Sequence, residues 1–222
     1  MIVAIDGPSG AGKSTLAKHI AKELRFTYLD TGAIYRALAL KILRRGVDLD
    51  DTAALNAIVN DSDIDLRGRN GQLQVFLDGE DVSAAIRTPE VSQMASKASA
   101  IAMVRRRLLD LQRALGRRDN VVAEGRDIGT VVFPTAELKI YLTASEKVRG
   151  ERRFNEMKNK GIEITESQVL NNLTGRDLMD STRKTGPLKK ADDAYDIDNS
   201  SMSESEQFEL VLKLAQEKIA AK

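Results

Sequence analysis

Residues 2–5 are four apolar side chains in a row, three of them β-branched, stopped by Asp6-Gly7-Pro8. A run that short and that uniformly apolar reads as a strand buried on both faces of a parallel sheet. The period then changes. Leu16, Ile20 and Leu24 lie four apart, which predicts a helix over residues 13–24 with one apolar face. Residues 27–29 form a second short strand, and residues 34–45 a helix apolar on most sides with Gly46 placed to cap it. Residues 121–124, 138–142 and 195–197 read as further strands. Helices are predicted over residues 90–118, over the highly charged 145–160 before Gly161, and over 165–183 before Gly186-Pro187. Ser203-Glu204-Ser205-Glu206 fits a capping box that opens a C-terminal helix. Strands alternating with helices predict an α/β fold, a parallel sheet with helices on both faces.

One stretch breaks this rhythm. Ile64 and Leu66 alternate with polar residues, Arg69-Asn70-Gly71 supplies a turn, Leu73, Val75 and Leu77 alternate again, and Asp78-Gly79 turns once more. Period-two alternation around two turns predicts a small antiparallel insertion over residues 61–83.

Composition acts mainly by exclusion. The 222 residues suffice for one domain with a real core, and 42% hydrophobic with 30% charged residues is ordinary for a globular chain. The net charge of +1 gives no general pull toward nucleic acid or an anionic membrane. With no cysteine there is neither a disulfide nor a thiolate zinc site, and one histidine, His19, leaves no basis for a histidine-rich metal centre or a Ser-His-Asp triad. No apolar run approaches the ~18 residues a membrane span needs. The N-terminus runs directly into a functional loop without leader character, so a cytoplasmic location is expected. His19, Met94, Met103 and the exposed part of Arg105-Arg106-Arg107 read as packing or solvated residues.

That loop carries the clearest chemistry. Gly7-Pro8-Ser9-Gly10-Ala11-Gly12-Lys13-Ser14-Thr15 fits the P-loop spacing, between a predicted strand and a predicted helix. Backbone N–H groups must wrap phosphate oxygens there, so small side chains and unusual φ values are required. The helix that follows points its positive end at the anion. In that role Lys13 can bridge β- and γ-phosphate oxygens of a nucleotide, and Ser14 can hold Mg²⁺. A chance match in a chain of this length is about a 1% event.

A P-loop alone does not name the reaction. The guanine-reading Asn-Lys-x-Asp is missing: Asn159-Lys160-Gly161-Ile162 has isoleucine where the acid belongs, and Asp65-Leu66-Arg67-Gly68 falls in the hairpin insertion. What the chain has instead is arginine after core elements. Arg36 follows the second strand, Arg126 the third, and Arg176, Asp180 and Arg183 share one predicted helical face. Guanidinium forks suit a second, phosphate-bearing substrate beside the P-loop.

Over nearly its whole length the chain resembles bacterial cytidylate kinases. The strings that carry the resemblance are residues 5–15, Leu-Asp-Thr-Gly-Ala-Ile-Tyr-Arg at 29–36, Gly-Glu-Asp-Val-Ser at 79–83, Ile-Arg-Thr-Pro-Glu-Val at 86–91, Glu-Gly-Arg-Asp-Ile-Gly-Thr-Val-Val-Phe-Pro at 124–134, and Arg-Asp-x-x-Asp-x-x-Arg at 176–183. The resemblance implies a P-loop three-layer core (about 1–30, 91–145 and 185–222), an acceptor-binding part with the insertion (about 31–90) and a short mobile lid (about 147–163). It implies transfer of the γ-phosphoryl group of ATP to CMP or dCMP. Ser96, Arg105 and Asp127 would read cytosine, and Arg36, Arg126 and Arg183 would grip the acceptor phosphate. Arg176 and Asp180 would contact ribose and phosphate, Thr31 and Tyr35 would complete the pocket, and Arg149, Arg152 or Arg153 would reach the donor phosphates. Lys13, Arg126, Arg176 and Arg183 are then the catalytic set. Met179 and Ser181 stand where bacterial members often carry more arginine. A monomer acting on small molecules is expected, with no nucleic acid or membrane as partner. The rival readings are another acceptor (AMP, UMP or shikimate) and a nucleotide switch whose output is a partner interaction.

Overall fold

The computed structural model describes every residue except Asn70, Gly71, Arg118, Lys160 and Lys222. The turn expected at Asn70-Gly71, and the ends expected at Arg118 and Lys160, therefore lie outside the described residues. The main sheet has five strands, β1 (Ile2–Asp6), β2 (Thr27–Asp30), β6 (Val121–Gly125), β7 (Leu138–Thr143) and β8 (Tyr195–Asp198). Their order is β2-β6-β1-β7-β8 and every pairing is parallel. The small sheet is antiparallel, β3 (Ile64–Arg69), β4 (Gln72–Leu77) and β5 (Glu80–Asp81). The third strand is an addition to the expected hairpin.

Alternation along the strands separates two cores. Ala4, Val121 and Ala123 face one side, with Leu29 and α2 (Thr31–Arg45). Val3, Ile5 and Val122 face the other, with α1 (Lys13–Leu24) and α8 (Glu204–Ala220). The antiparallel sheet leans on the α2 side through Ile64, Val75 and Leu77. It is also tied there by Lys41, whose ammonium lies 2.8 Å from Asp78 and 3.3 Å from Asp61. The core role expected of Met94 and Met103 holds, since both pack against this cluster.

Three departures from expectation have local causes. Helix α2 starts at Thr31 because Asp30 caps it, its Oδ1 accepting from Ala33 N at 2.8 Å. Helix α3 (Thr52–Asp61) was not anticipated; Asp51 caps it and Leu55, Ile58 and Val59 are its buried face. The long helix expected over 90–118 is two, α4 (Pro89–Ala98) and α5 (Ala102–Gly116), parted where Ile101 turns extended at φ −85°, ψ 119°. No glycine or proline marks that break. It leaves the Ser99 carbonyl free to accept from Arg105 Nη1 at 3.3 Å, and the Ser99 hydroxyl free to accept from Arg183 Nη1 at 3.0 Å.

Beyond β7, the charged helix α6 (Glu146–Asn159) packs on α7 (Glu166–Thr182) through Met157, Val169 and Leu173. Thr165 and Gln168 form a capping box at the start of α7, and Ser203 with Glu206 forms the expected one before α8. No helix among the described residues is long and apolar enough to cross a membrane.

Candidate active site

The strand order reverses at β1, which is where an open parallel sheet leaves a crevice beyond its strand ends. A cavity of about 1040 Å³ occupies that place. Ser9, Gly10, Gly12, Lys13, Ser14 and Thr15 line one part of it; Gly7, Pro8 and Ala11 do not. Gly7 instead packs so closely on the Leu142 carbonyl that a Cβ would overlap it. Thr31, Tyr35, Arg36, Ser96, Arg105, Arg126, Asp127, Arg176, Asp180 and Arg183 line the rest. Every acceptor-site residue expected from the sequence thus opens onto the same space as the phosphate loop. Register explains the convergence, since Asp6 is level with Gly125 and Asp30 with Glu124. The loop after β6 is held down by Asp6, whose two carboxylate oxygens each accept at 2.8 Å from the N–H groups of Ile128 and Gly129. Burial still pushes the Asp6 carboxyl up to about 6.

In the donor half, Lys13 is buried and its ammonium folds back onto the Pro8 carbonyl at 2.7 Å. Burial, and then repulsion from Arg126, lower its pKa to about 7. An anion seated at this nitrogen should restore its proton. Donor binding at pH 8 is therefore expected to take up a proton and at pH 6 none, read by calorimetry in buffers of different ionisation enthalpy. Donor affinity then falls as pH rises above 7. In the ligand-free protein the unfolded chain holds the extra proton between pH 7 and the usual lysine range, so stability rises with pH across that window. Absence of uptake at pH 8 would mean that Lys13 is already charged.

The three arginines of the segment expected to be a lid have different surroundings. Arg149 is buried and bound to backbone, Nε to the Ala144 carbonyl at 3.1 Å and Nη1 to the Ser9 carbonyl at 2.9 Å, with Asp177 as its ion partner. Arg152 lines the cavity and is held by Asn199, with Nη1 on its Oδ1 at 3.0 Å and Nη2 on its carbonyl at 3.1 Å. Arg153 also lines the cavity and pairs with Glu156. His19 is exposed, edge-on to Phe208, at the outer margin of the cavity.

In the acceptor half, cations outnumber their partners. Arg126 Nε donates to Asp180 Oδ2 at 2.8 Å. Burial opposes the charge of Arg126, but Asp180 and its neighbours hold the guanidinium above its ordinary pKa. For Arg176 the attraction of Asp180 is outweighed: burial and the nearby Arg126 lower it to about 10. Among the described residues, Arg36 Nε, Arg176 Nε and Ser96 Oγ are buried atoms without a hydrogen-bond partner. Arg36 Nη2 is fixed by Asp30 at 2.9 Å, so its free Nε has a set direction. Deeper in, Arg105 is ion-paired with Asp127 and lies 5.7 Å over the Tyr35 ring. Arg183 reaches the Gly186 carbonyl at 2.6 Å and Asp127 at 3.6 Å. Burial raises the Asp127 carboxyl even against these two guanidiniums. Thr31 is turned to the Glu124 carbonyl at 2.7 Å.

Sequence reasoning did not single out Glu124 or Tyr28. Glu124, next to last in β6, lines the cavity with the phosphate loop and accepts from the Tyr28 hydroxyl at 2.6 Å. The available signal was an acid at the end of the strand next to the P-loop strand. It could be used only once the strand order was known.

The family model described as cytidylate kinase matches residues 3–217. The chain belongs to the cytidylate kinase family. The cytidylate kinase of Pelotomaculum thermopropionicum is 51% identical over 90% of this chain and 89% of the relative. That of Caldanaerobacter subterraneus subsp. tengcongensis is 50% identical over 94% of this chain and 92% of its own. That of Syntrophotalea carbinolica is 46% identical over 98% and 93%. Among solved structures, a shikimate kinase from Bacteroides thetaiotaomicron aligns over 99% of this chain and 98% of that one with 13% identity and a TM-score of 0.48, too distant to bear on the acceptor. The cytidylate kinase family model spans the P-loop, the arginine-bearing loops and both sheets alike.

Proposed function

We propose that the chain transfers the γ-phosphoryl group of ATP to CMP or dCMP, giving ADP and CDP or dCDP, as a cytoplasmic monomer. One observation carries the reading. The phosphate loop and the acceptor-half arginines open onto a single cavity, and two of those guanidiniums keep a buried N–H unpartnered among the described residues.

The triphosphate would lie along the loop backbone at the N-terminus of α1, with Lys13 leaving Pro8 to meet its oxygens. The acceptor phosphate would take the free Nε of Arg36 and Arg176 together with Arg126 and Arg183. At the base end, the Arg105 guanidinium beside the Asp127 carboxylate offers a donor next to an acceptor. Cytosine presents the complement, an amino donor beside ring acceptors, and uracil lacks the amino donor. Ser96 Oγ adds a hydroxyl at the same end. An oxygen of the CMP phosphate attacks the γ-phosphorus in line. The new O–P bond forms as the bond to the β-γ bridging oxygen breaks, and ADP leaves with the electron pair. No general base is required, because the acceptor phosphate is already anionic near neutral pH. Lys13, Arg126 and Arg176 lie where negative charge spreads over the transferring group. Closure of α6 over the cavity would exclude water as a competing acceptor.

The residues fit a magnesium ion delivered with the nucleotide. Ser14 and Glu124, which line the same cavity, would supply a hydroxyl and one carboxylate, and among the described residues no cluster of three histidine, aspartate or glutamate side chains would hold an ion by itself. When bound, Mg²⁺ would neutralise charge on the β- and γ-phosphates. Release of ADP from ATP should rise at least about 100-fold on adding CMP or dCMP, and far less with AMP, UMP or shikimate. Equal stimulation by UMP would remove Asp127 from base selection, and hydrolysis indifferent to every acceptor would favour a nucleotide switch.

A further inference from the structure

The Pro8–Ser9 peptide of the donor loop is gripped at both ends. Its carbonyl oxygen accepts from Lys13 Nζ at 2.7 Å, and its N–H donates to Asp177 Oδ1 at 3.0 Å. The next carbonyl, that of Ser9, accepts from Arg149 Nη1 at 2.9 Å, and Arg149 is ion-paired with the other oxygen of Asp177. Ser9 and Arg149 are buried. A peptide unit is planar and stiff, so Lys13 and Asp177 hold opposite edges of one plate. Asp177 lies on α7 between Arg176 and Asp180, the residues turned to the acceptor cavity. Arg149 lies on α6. Three elements therefore meet at Ser9: the donor loop, the lid helix and the acceptor helix. The chemistry described above uses neither Asp177 nor Arg149.

We propose that Asp177 is a positioning residue that couples acceptor seating to the donor loop. When a nucleoside monophosphate draws Arg176 and Asp180 into place, α7 carries the Asp177 carboxylate with it. The Pro8–Ser9 plate follows, and with it the oxygen against which the Lys13 ammonium is set. Coupling of this kind is reciprocal: the factor by which CMP tightens the donor equals the factor by which the donor tightens CMP. A static buttress would support the loop without producing such a factor.

The inference rests on the two-substrate reading, and the test separates the two. The Kd of CMP is measured by calorimetry with and without a non-hydrolysable ATP analogue and Mg²⁺. In the unaltered protein the analogue is expected to tighten CMP by about fivefold or more. Asp177→Asn keeps the shape but loses the charge that holds Arg149. It is expected to bring the factor below about twofold while each ligand alone binds within about threefold of the original, and to lower kcat about tenfold. Arg149→Lys, whose single ammonium cannot serve Ala144, Ser9 and Asp177 together, should do the same, and the double variant no more than either. If Asp177→Asn fails to fold, Arg149→Lys reads the same factor. The proposal is overturned if the unaltered protein has no coupling. It is equally overturned if a folded variant keeps the full factor, including the case where both ligands weaken in parallel. Failure of the functional reading would look different, since CMP would then bind under neither condition.

Discussion

Lys13→Ala is expected to lower kcat by about 10³-fold or more, with a melting temperature equal to or above that of the unaltered protein. The two halves of this expectation have one cause. The ammonium is buried in the ligand-free protein with its pKa lowered to about 7, and one carbonyl, that of Pro8, is its hydrogen-bond partner. The folded chain gains little from a cation there and tolerates its loss. On the proposed reading the transition state gains much, because charge would gather on oxygens next to that nitrogen. A coupled assay of ADP release with saturating ATP and CMP, alongside a thermal melt, reads both quantities. Turnover within tenfold of the original in a folded variant would sink the assignment of Lys13 to the transferring phosphate.

Gly186→Ala should act on the other substrate. Gly186 has φ +55°, in the left-handed region that favours glycine, and a Cβ there would overlap both Arg105 Nη2 and Asp127 Oδ2. Its carbonyl also holds Arg183 Nε at 2.6 Å. One methyl group therefore displaces the ion pair proposed to read the base and tilts an arginine proposed to hold the phosphate. The expected outcome is a KM for CMP raised about 30-fold or more, with the KM for ATP changed less than threefold. Some stability should also be lost, about 1–2 kcal/mol, from the strained backbone and the parted ion pair. Steady-state kinetics with each substrate varied in turn checks the split. Equal rises in both KM values would point to general unfolding of the cavity.

The chain yields its donor site readily because that chemistry is contiguous. A strand, a loop of small residues, a lysine and a helix follow one another within residues 2–24, and the backbone itself builds the cradle. The layered fold is legible for a similar reason: alternation in Val3, Ala4 and Ile5 sends neighbours to opposite cores, so two faces must be covered. A local signal also served the helix start at Ser203, where the capping residues lie within one turn.

Other features depend on residues far apart in the chain. The break between α4 and α5 has no glycine or proline; it serves Arg105 and Arg183, whose hydrogen bonds to Ser99 come from six residues away and from α7's C-terminal end. Glu124 and Tyr28 are 96 residues apart and meet because β2 pairs with β6. Arg149, one of three arginines expected from the sequence near the donor phosphates, grips the loop backbone and Asp177, partners that lie 140 and 28 residues away in the chain.

By itself the sequence determined the phosphate loop, the alternating α/β layers, the antiparallel insertion and, through its resemblance, the family and the residues that line the rest of the cavity. Only the tertiary structure decided which arginines keep a free N–H and which are already committed, and that Asp177 reaches the donor loop. The physical reason is that a guanidinium's availability is set by the partners burial gives it, and those partners come from strands and helices that the chain order does not make neighbours.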